Sequence, residues 1–273
     1  VVNAFPLMSN KGVYEHQRAV TSDKRVYLLT RCAFAGQQRY AANTWSGDVM
    51  CNWETFRKQI PTGLNFSLSG IPYWNTDIGG FFNWPYHGGA ENKAYHELYT
   101  RWFQYGTFLP MQRSHGSGVK KEIYNLGKKG DWVYDSEEKY INLRYALLPY
   151  LYSTGWQVTD NAGSFLRALF MDFNEDKKVH TISNQYMFGK AFLVTPVTRN
   201  MYVFSDKEQW KDPYEDFSKT GTQDVYLPKG TKWFDFWTGE ALNGGQLVTK
   251  EVPIDIIPLY VRAGSIVPFG PKV

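Results

Sequence analysis

The strongest constraint on this chain is a change of rhythm near Asn161. Upstream, apolar runs of strand length alternate with stretches of helical spacing. "RVYLLTRCAF" (25–34) is a continuous apolar run, as expected of a strand covered on both faces. "DVMCNWETFRKQIPTGL" reads as a helix that opens at Asp48 and stops by Pro61 and Gly63, and "NFSLSGIPYW" (65–74) as a second strand. Val13 to Val20 and Glu91 to Tyr105 carry helical spacing, "TFLPMQRSHG" (107–116) is a third short strand, and 138–159 is a long amphipathic helix kinked at Pro149. Such alternation is the signature of parallel βα units, hence an α/β fold.

Downstream, "SFLRALFMDF", "GKAFLVTPVT", "QDVYLPKG", "KWFDFWTG", "GQLVTKEVPI" and "IPLYVRAGSIVPFG" are short strands separated by Gly, Pro and Asn turns. That pattern predicts an all-β domain, most simply a sandwich. The expected division is 1–162 for the α/β part and 163–273 for the β part.

Several classes are excluded. The net charge of +4, from 30 basic and 26 acidic residues, is not gathered into a basic stripe, which argues against a nucleic-acid partner. No run of 18 apolar residues predicts a membrane span. Cys32 and Cys51 have no partners at zinc spacing and read as two buried thiols, leaving the compartment open; a periplasmic or secreted location would suit a bacterial source. "VVNAFPLMSN" has neither signal-peptide regions nor an initiator Met, so the expectation is a chain that starts in mid-protein. Aromatic residues make up 17 %, a content that fills large cores and also lines sugar sites.

The loops that follow the three expected strands are where a parallel sheet places its chemistry. They bring Arg39, Trp45 and Asp48 from the first, Trp74, Asp77 and Phe81 from the second, and Arg113 with His115 from the third. Carboxylates and His bind hydroxyl groups, Arg orients them and aromatic rings stack on sugar faces. Two carboxylates flanking one bond are also what glycoside cleavage requires. Plainer roles exist: Asp48 as a helix cap, Asp77 as a turn residue, His115 as a solvated loop residue. A hydrolytic metal on Asp48, Asp77, His87 and His115 is a rival reading, although no H-x-H or H-E-x-x-H pair supports it.

"RCAFAGQQRYAANTWSGDV", "GIPYWNTDIGGFF", "MQRSHG", "LRYALLPYLY" and "IPLYVRAGSIVPFGP" resemble, in this order, blocks of the family 31 glycoside hydrolases, the α-glucosidase and α-xylosidase family. The resemblance implies the C-terminal part of a (β/α)8 barrel, about its last three strands, followed by a β-sandwich. It also implies a retaining mechanism without cofactor or metal, acting on an oligosaccharide. Asp48 matches the general acid/base, which must keep its proton near neutral pH; apolar aromatic walls favour that by disfavouring the ionised form. Asp77 and His115 match hydroxyl-binding residues, and Arg39, Trp45 and Arg113 match pocket residues. Trp74 and Phe81 are expected to shape the wall by stacking. The family's nucleophile, an aspartate in a W-x-D-M-N-E-like block, has no match in this chain. The expectation is therefore a C-terminal part of a longer enzyme, inactive by itself, that requires the upstream part of the same protein. "AGQQRY", "PYWNTDIGGFF" and R-x-HG are closer to α-xylosidases acting on xyloglucan oligosaccharides than to α-glucosidases. A non-catalytic glycan-binding protein is the alternative from another class.

Overall fold

The computed structural model describes residues 2–271. The first helix, α1 (Phe5–Val20), leads to a three-stranded parallel sheet of β1 (Leu28–Thr30), β2 (Ala42–Trp45) and β3 (Trp74–Asn75), in that order. Their register pairs Leu28 with Ala42, Thr44 with Trp74 and Trp45 with Asn75. Parallel bridges from Ile78 to Ser114 and from Phe82 to Ser117 add a fourth position beyond β3. The expected strands thus need correction. The run 25–34 is strand only at its centre, Ala42–Trp45 forms a strand outside the expected ones, and 65–74 contributes only Trp74. The run 107–116 contributes one bridge residue.

Helix α2 (Trp53–Leu68) opens at Asn52, whose side chain accepts from the Thr55 N–H at 2.7 Å. Asp48 therefore lies outside the helix and does not cap it. The helix also runs through Pro61 and Gly63, because Trp53, Phe56, Ile60 and Leu64 form one buried stripe, and burial of that stripe outweighs local propensity. Gly63 is a point of close approach rather than a stop: a Cβ there would stand 2.7 Å from the Trp74 ring and 2.9 Å from Leu166.

Helix α3 (Lys93–Thr107) is capped by Asn92, and the long helix divides into α5 (Trp132–Ala146) and α6 (Leu148–Asn161), with Pro149 in the first turn of the latter. A short α4 (Ile123–Leu126) precedes them. Arg144 on α5 donates to the carbonyls of Thr107, Leu109 and Pro110, which fixes the chain leading to Arg113.

The C-terminal part is antiparallel. It contains β4 (Leu166–Ala168), a short α7 (Leu169–Asp172), β5 (Tyr186–Phe188), β6 (Phe192–Val194), β7 (Val203–Phe204), β8 (Tyr214–Glu215), β9 (Thr222–Leu227), β10 (Lys232–Asp235), β11 (Ala241–Asn243), β12 (Gln246–Glu251) and β13 (Leu259–Arg262). Six strands form one sheet in the order β11-β10-β13-β6-β5-β4, while β9–β12 and β7–β8 are two-stranded ribbons. Alternation divides the sheet's side chains. Met187, Leu193, Trp233 and Tyr260 join Val225 and Leu227 of the ribbon in one core; Tyr186, Phe188, Phe192 and Leu259 join the helices in the other.

Three side chains of α3 fasten the two parts. The buried Glu97 carboxylate accepts from the backbone N–H groups of Met201, Tyr202 and Val203 at 2.7, 3.1 and 2.8 Å. Arg101 donates to the carbonyls of Val252, Pro253 and Ile256, and Gln104 to that of Ile254. No helix of the described residues is long and apolar enough to cross a membrane.

Candidate functional site

The carboxyl ends of β2, β3 and the Ser114 bridge gather the site. On β2 and its continuation, side chains alternate: Asn43 and Trp45 share one face, and in β3 the register puts Asn75 and then Asp77 beside them. Asn43 and Asn75 hydrogen-bond to each other on that face. The opposite face holds Thr44, Trp74 and Thr76, which look toward α2; Thr76 donates to Gln59 at 3.0 Å. Trp74 is accordingly 1 % exposed, with its ring stacked on Phe66 at 6.4 Å. The expectation that Trp74 forms the site wall is corrected: the strand period turns it to the helix layer.

Asp77 is fully buried, and the Arg113 Nη1 donates to its Oδ1 at 2.6 Å. Its Oδ2 has no partner. Burial pushes the Asp77 carboxyl up to about 6, against the pull of the Arg113 and Lys121 charges; the Asp48 charge adds to the rise. The Arg113 guanidinium also lies over the Trp45 ring, 5.7 Å from its centroid, and the buried Trp45 Nε1 is likewise unpartnered. One guanidinium thus spans a buried acceptor and a buried donor, both free.

Asp48 follows Gly47, whose φ of +73° is the left-handed region that favours glycine; a Cβ there would stand 3.0 Å from Arg31 Nε. Arg31 Nη1 faces Asp48 Oδ2 at 3.5 Å, with both side chains partly open to solvent. The Ser46 hydroxyl accepts from the Asp77 N–H at 3.3 Å, which couples the Asp48 and Asp77 loops. Phe81 packs on His115, ring centroids 5.4 Å apart, and its N–H donates to the carbonyl of Val49, next to Asp48. The His115 imidazole is held below its ordinary value by burial, with Arg113 and Lys121 acting in the same direction, so it is neutral near pH 7.

The structure therefore brings together Trp45, Asp48, Asp77, Phe81, Arg113 and His115. It does not bring Arg39 to them. Arg39 is exposed in the turn Gln37–Tyr40, just before Ala41, whose carbonyl accepts from Leu28 at the start of β1. That is the amino end of the strands. Arg31, which directly follows β1, takes the place expected of Arg39; its position at a strand's carboxyl end was the available signal. Cys32 is exposed beside it, contrary to the expectation of two buried thiols, whereas Cys51 is buried and its thiol is pushed up to about 12. Lys121, which no sequence pattern marks, is buried and donates to carbonyls of both the Asp77 and His115 loops.

His87 lies apart, its N–H bonded to the Gln209 carbonyl of the β domain. Among the described residues no group of three or more His, Cys, Asp and Glu side chains is placed to share a metal ion. A cavity of about 830 Å³ between Arg25, Tyr73, Pro110, Arg144, Tyr152 and Trp156 lies at the amino end of the strands, away from Asp48 and Asp77. In barrels that end supports stability rather than chemistry.

A parallel sheet with polar and aromatic groups at its carboxyl ends, followed by an antiparallel domain, defines the chain as an α/β unit joined to a β domain. Similarity makes the class specific. Residues 1–154 match the glycosyl hydrolases family 31 TIM-barrel domain, and residues 162–267 match the glycosyl hydrolase family 31 C-terminal domain. The chain belongs to glycosyl hydrolase family 31. It is 48 % identical to an α-xylosidase of Saccharolobus solfataricus over 98 % of its own length and 33 % of that protein's. It is 31 % identical to α-glucosidase 2 of Bacillus thermoamyloliquefaciens, covering 98 % of this chain and 30 % of the relative. The crystal structure of the GH31 α-xylosidase from Xanthomonas citri superimposes with a TM-score of 0.88 at 43 % identity, over 99 % of this chain and 28 % of that one. The chain thus spans about a third of the length of the relatives it matches.

Proposed function

We propose that the intact polypeptide carrying this chain is a retaining, exo-acting α-glycoside hydrolase that removes xylose from xyloglucan-type oligosaccharides. The observation that carries this reading is the pair of unpartnered buried groups, Asp77 Oδ2 and Trp45 Nε1, bridged by Arg113. A hydroxyl group donates to the first and accepts from the second, and a buried polar atom left unpaired is costly unless a ligand or an ordered water supplies its partner.

In the proposed mechanism Asp77, Arg113 and neutral His115 hold the sugar hydroxyls, and Trp45 with Phe81 encloses the ring. Asp48, on the open side of the cluster, protonates the leaving oxygen and then activates water. Arg31 is its neighbour in place of Arg39. The second carboxylate of a retaining mechanism is assigned to a segment outside these 273 residues, since Asp77 is engaged by Arg113. The substrate choice is supported by the 48 % identity to a relative named α-xylosidase, against 31 % for one named α-glucosidase.

Hydrolysis of 4-nitrophenyl α-xyloside and α-glucoside by the intact polypeptide, with the first-formed anomer followed by NMR, tests the reading. Faster xyloside cleavage with the α-anomer appearing first supports it. A preference for the glucoside moves the substrate to glucose, a β-anomer appearing first removes the retaining mechanism, and sugar binding without turnover leaves a glycan-binding protein.

A further inference from the structure

We infer that Lys121 is a positioning residue of the sugar site: its ammonium group ties the loop that carries Asp77 to the loop that carries Arg113 and His115. The inference rests on the reading of that cluster as a sugar site.

Lys121 Nζ donates to the carbonyls of Ile78 and His115, each at 2.8 Å, and to that of Gly80. An ammonium has three donors and no acceptor, so three carbonyls satisfy it completely. The acceptors come from both loops: Ile78 and Gly80 follow Asp77, and His115 lies two residues past Arg113. The lysine's own backbone is anchored from below. The Tyr99 hydroxyl donates to the Lys121 carbonyl at 2.9 Å and hydrogen-bonds Ser114 Oγ at 2.6 Å, while the Tyr99 ring centroid lies 5.9 Å from the ammonium.

Glycines clear the space this arrangement needs. A Cβ at Gly116 would stand 2.7 Å from Lys121 Nζ, one at Gly80 2.7 Å from the Cys51 backbone and one at Gly79 2.4 Å from the Tyr99 ring. Among the described residues no carboxylate lies within ion-pair distance of Lys121; its partners are backbone dipoles. The charged and titratable groups that face it are Asp77, Arg113, His115, the Cys51 thiol and Tyr99. A side chain needed only to fill this space would be apolar; one with three donors aimed at two loops holds them in register.

The same geometry makes the clamp sensitive to pH. Burial pulls Lys121 down to about 8, with Arg113 adding to the fall and Cys51 and Asp77 opposing it. Once the proton leaves, the amine has two donors for three carbonyls and turns a lone pair toward them. Asp77 is ionised above about 6 and Lys121 is protonated below about 8, so binding of a neutral sugar is strongest between those values.

The test compares the wild type, Lys121→Met and Lys121→Arg in the intact polypeptide. Amide hydrogen exchange is read over residues 76–82 and 113–118, and D-xylose and D-glucose are titrated as competitive inhibitors across pH. In Lys121→Met exchange rises in both segments, and inhibition by whichever sugar the wild type takes weakens about tenfold or more at neutral pH. In Lys121→Arg inhibition stays within about threefold of wild type and its alkaline loss moves up in pH, because a guanidinium keeps its charge. Unchanged exchange and inhibition in Lys121→Met overturn the inference, as does an alkaline loss in Lys121→Arg that coincides with the wild type's. Should Lys121→Met not fold, the shift between wild type and Lys121→Arg decides. If neither sugar binds the wild type, the sugar reading fails, and the exchange data decide the clamp by themselves.

Discussion

Asp77→Asn is expected to stabilise the protein at neutral pH while abolishing sugar binding. The wild-type carboxyl is raised from 3.8 to about 6 by burial, an interval that converts to roughly 3 kcal/mol at ~1.4 kcal/mol per tenfold change. A carboxyl raised in the folded state adds nothing unfavourable below its unfolded value, where it is protonated in both states. Stability is then lost as the pH rises through the folded value, because folding must bury the charge. Asn has nearly the same shape and no charge, so the difference between variant and wild type should be small near pH 4 and grow to about 2–3 kcal/mol in favour of the variant above pH 6. Arg113 retains the amide oxygen as an acceptor and is 20 % exposed, which limits the cost of losing its counter-ion. Urea unfolding of the intact polypeptide at a series of pH values reads this difference directly. A difference that is flat across the interval, or that favours the wild type increasingly at higher pH, refutes the assignment of Asp77 as a strained, functionally retained charge.

Three other substitutions are informative. Asp48→Ala should lose about 10²- to 10⁴-fold on substrates with poor leaving groups and much less on activated aryl glycosides; equal loss on both would count against Asp48 as proton donor. Glu97→Ala strands the three N–H groups of Met201, Tyr202 and Val203 and should cost about 3–5 kcal/mol in denaturant unfolding, whereas a loss below about 1 kcal/mol would show that the carboxylate does not hold the two parts together. Gly63→Ala, which on an exposed helix would stabilise, should instead destabilise by about 1–3 kcal/mol through its contact with Trp74 and Leu166; a raised thermal midpoint would contradict that packing.

The cluster was legible to the extent that strand-end position implies function. Asp48, Asp77, Arg113 and His115 each lie within a few residues of a strand end or its bridge, and chain order alone places them on adjacent loops. Arg39 and Trp74 were misplaced for two different reasons. Arg39 sits on the return path to β2, and no local pattern marks where a connection turns back. Trp74 sits on a strand of two residues, too short for alternation to reveal which side faces the helices.

Local chemistry thus determined the class: periodicity switched from alternating strands and helices to short strands, and this gave the order of units along the chain though not their ends. Tertiary structure decided which face of each strand turns inward, that α2 continues past Pro61, and which cations meet the site carboxylates. A strand's period defines two faces but does not rank them; only register against its neighbours and burial against α2 choose between them. Lys121 and Glu97 gained their roles in the same way, since their partners are backbone groups distant in sequence, and a carbonyl or N–H carries no residue-specific mark.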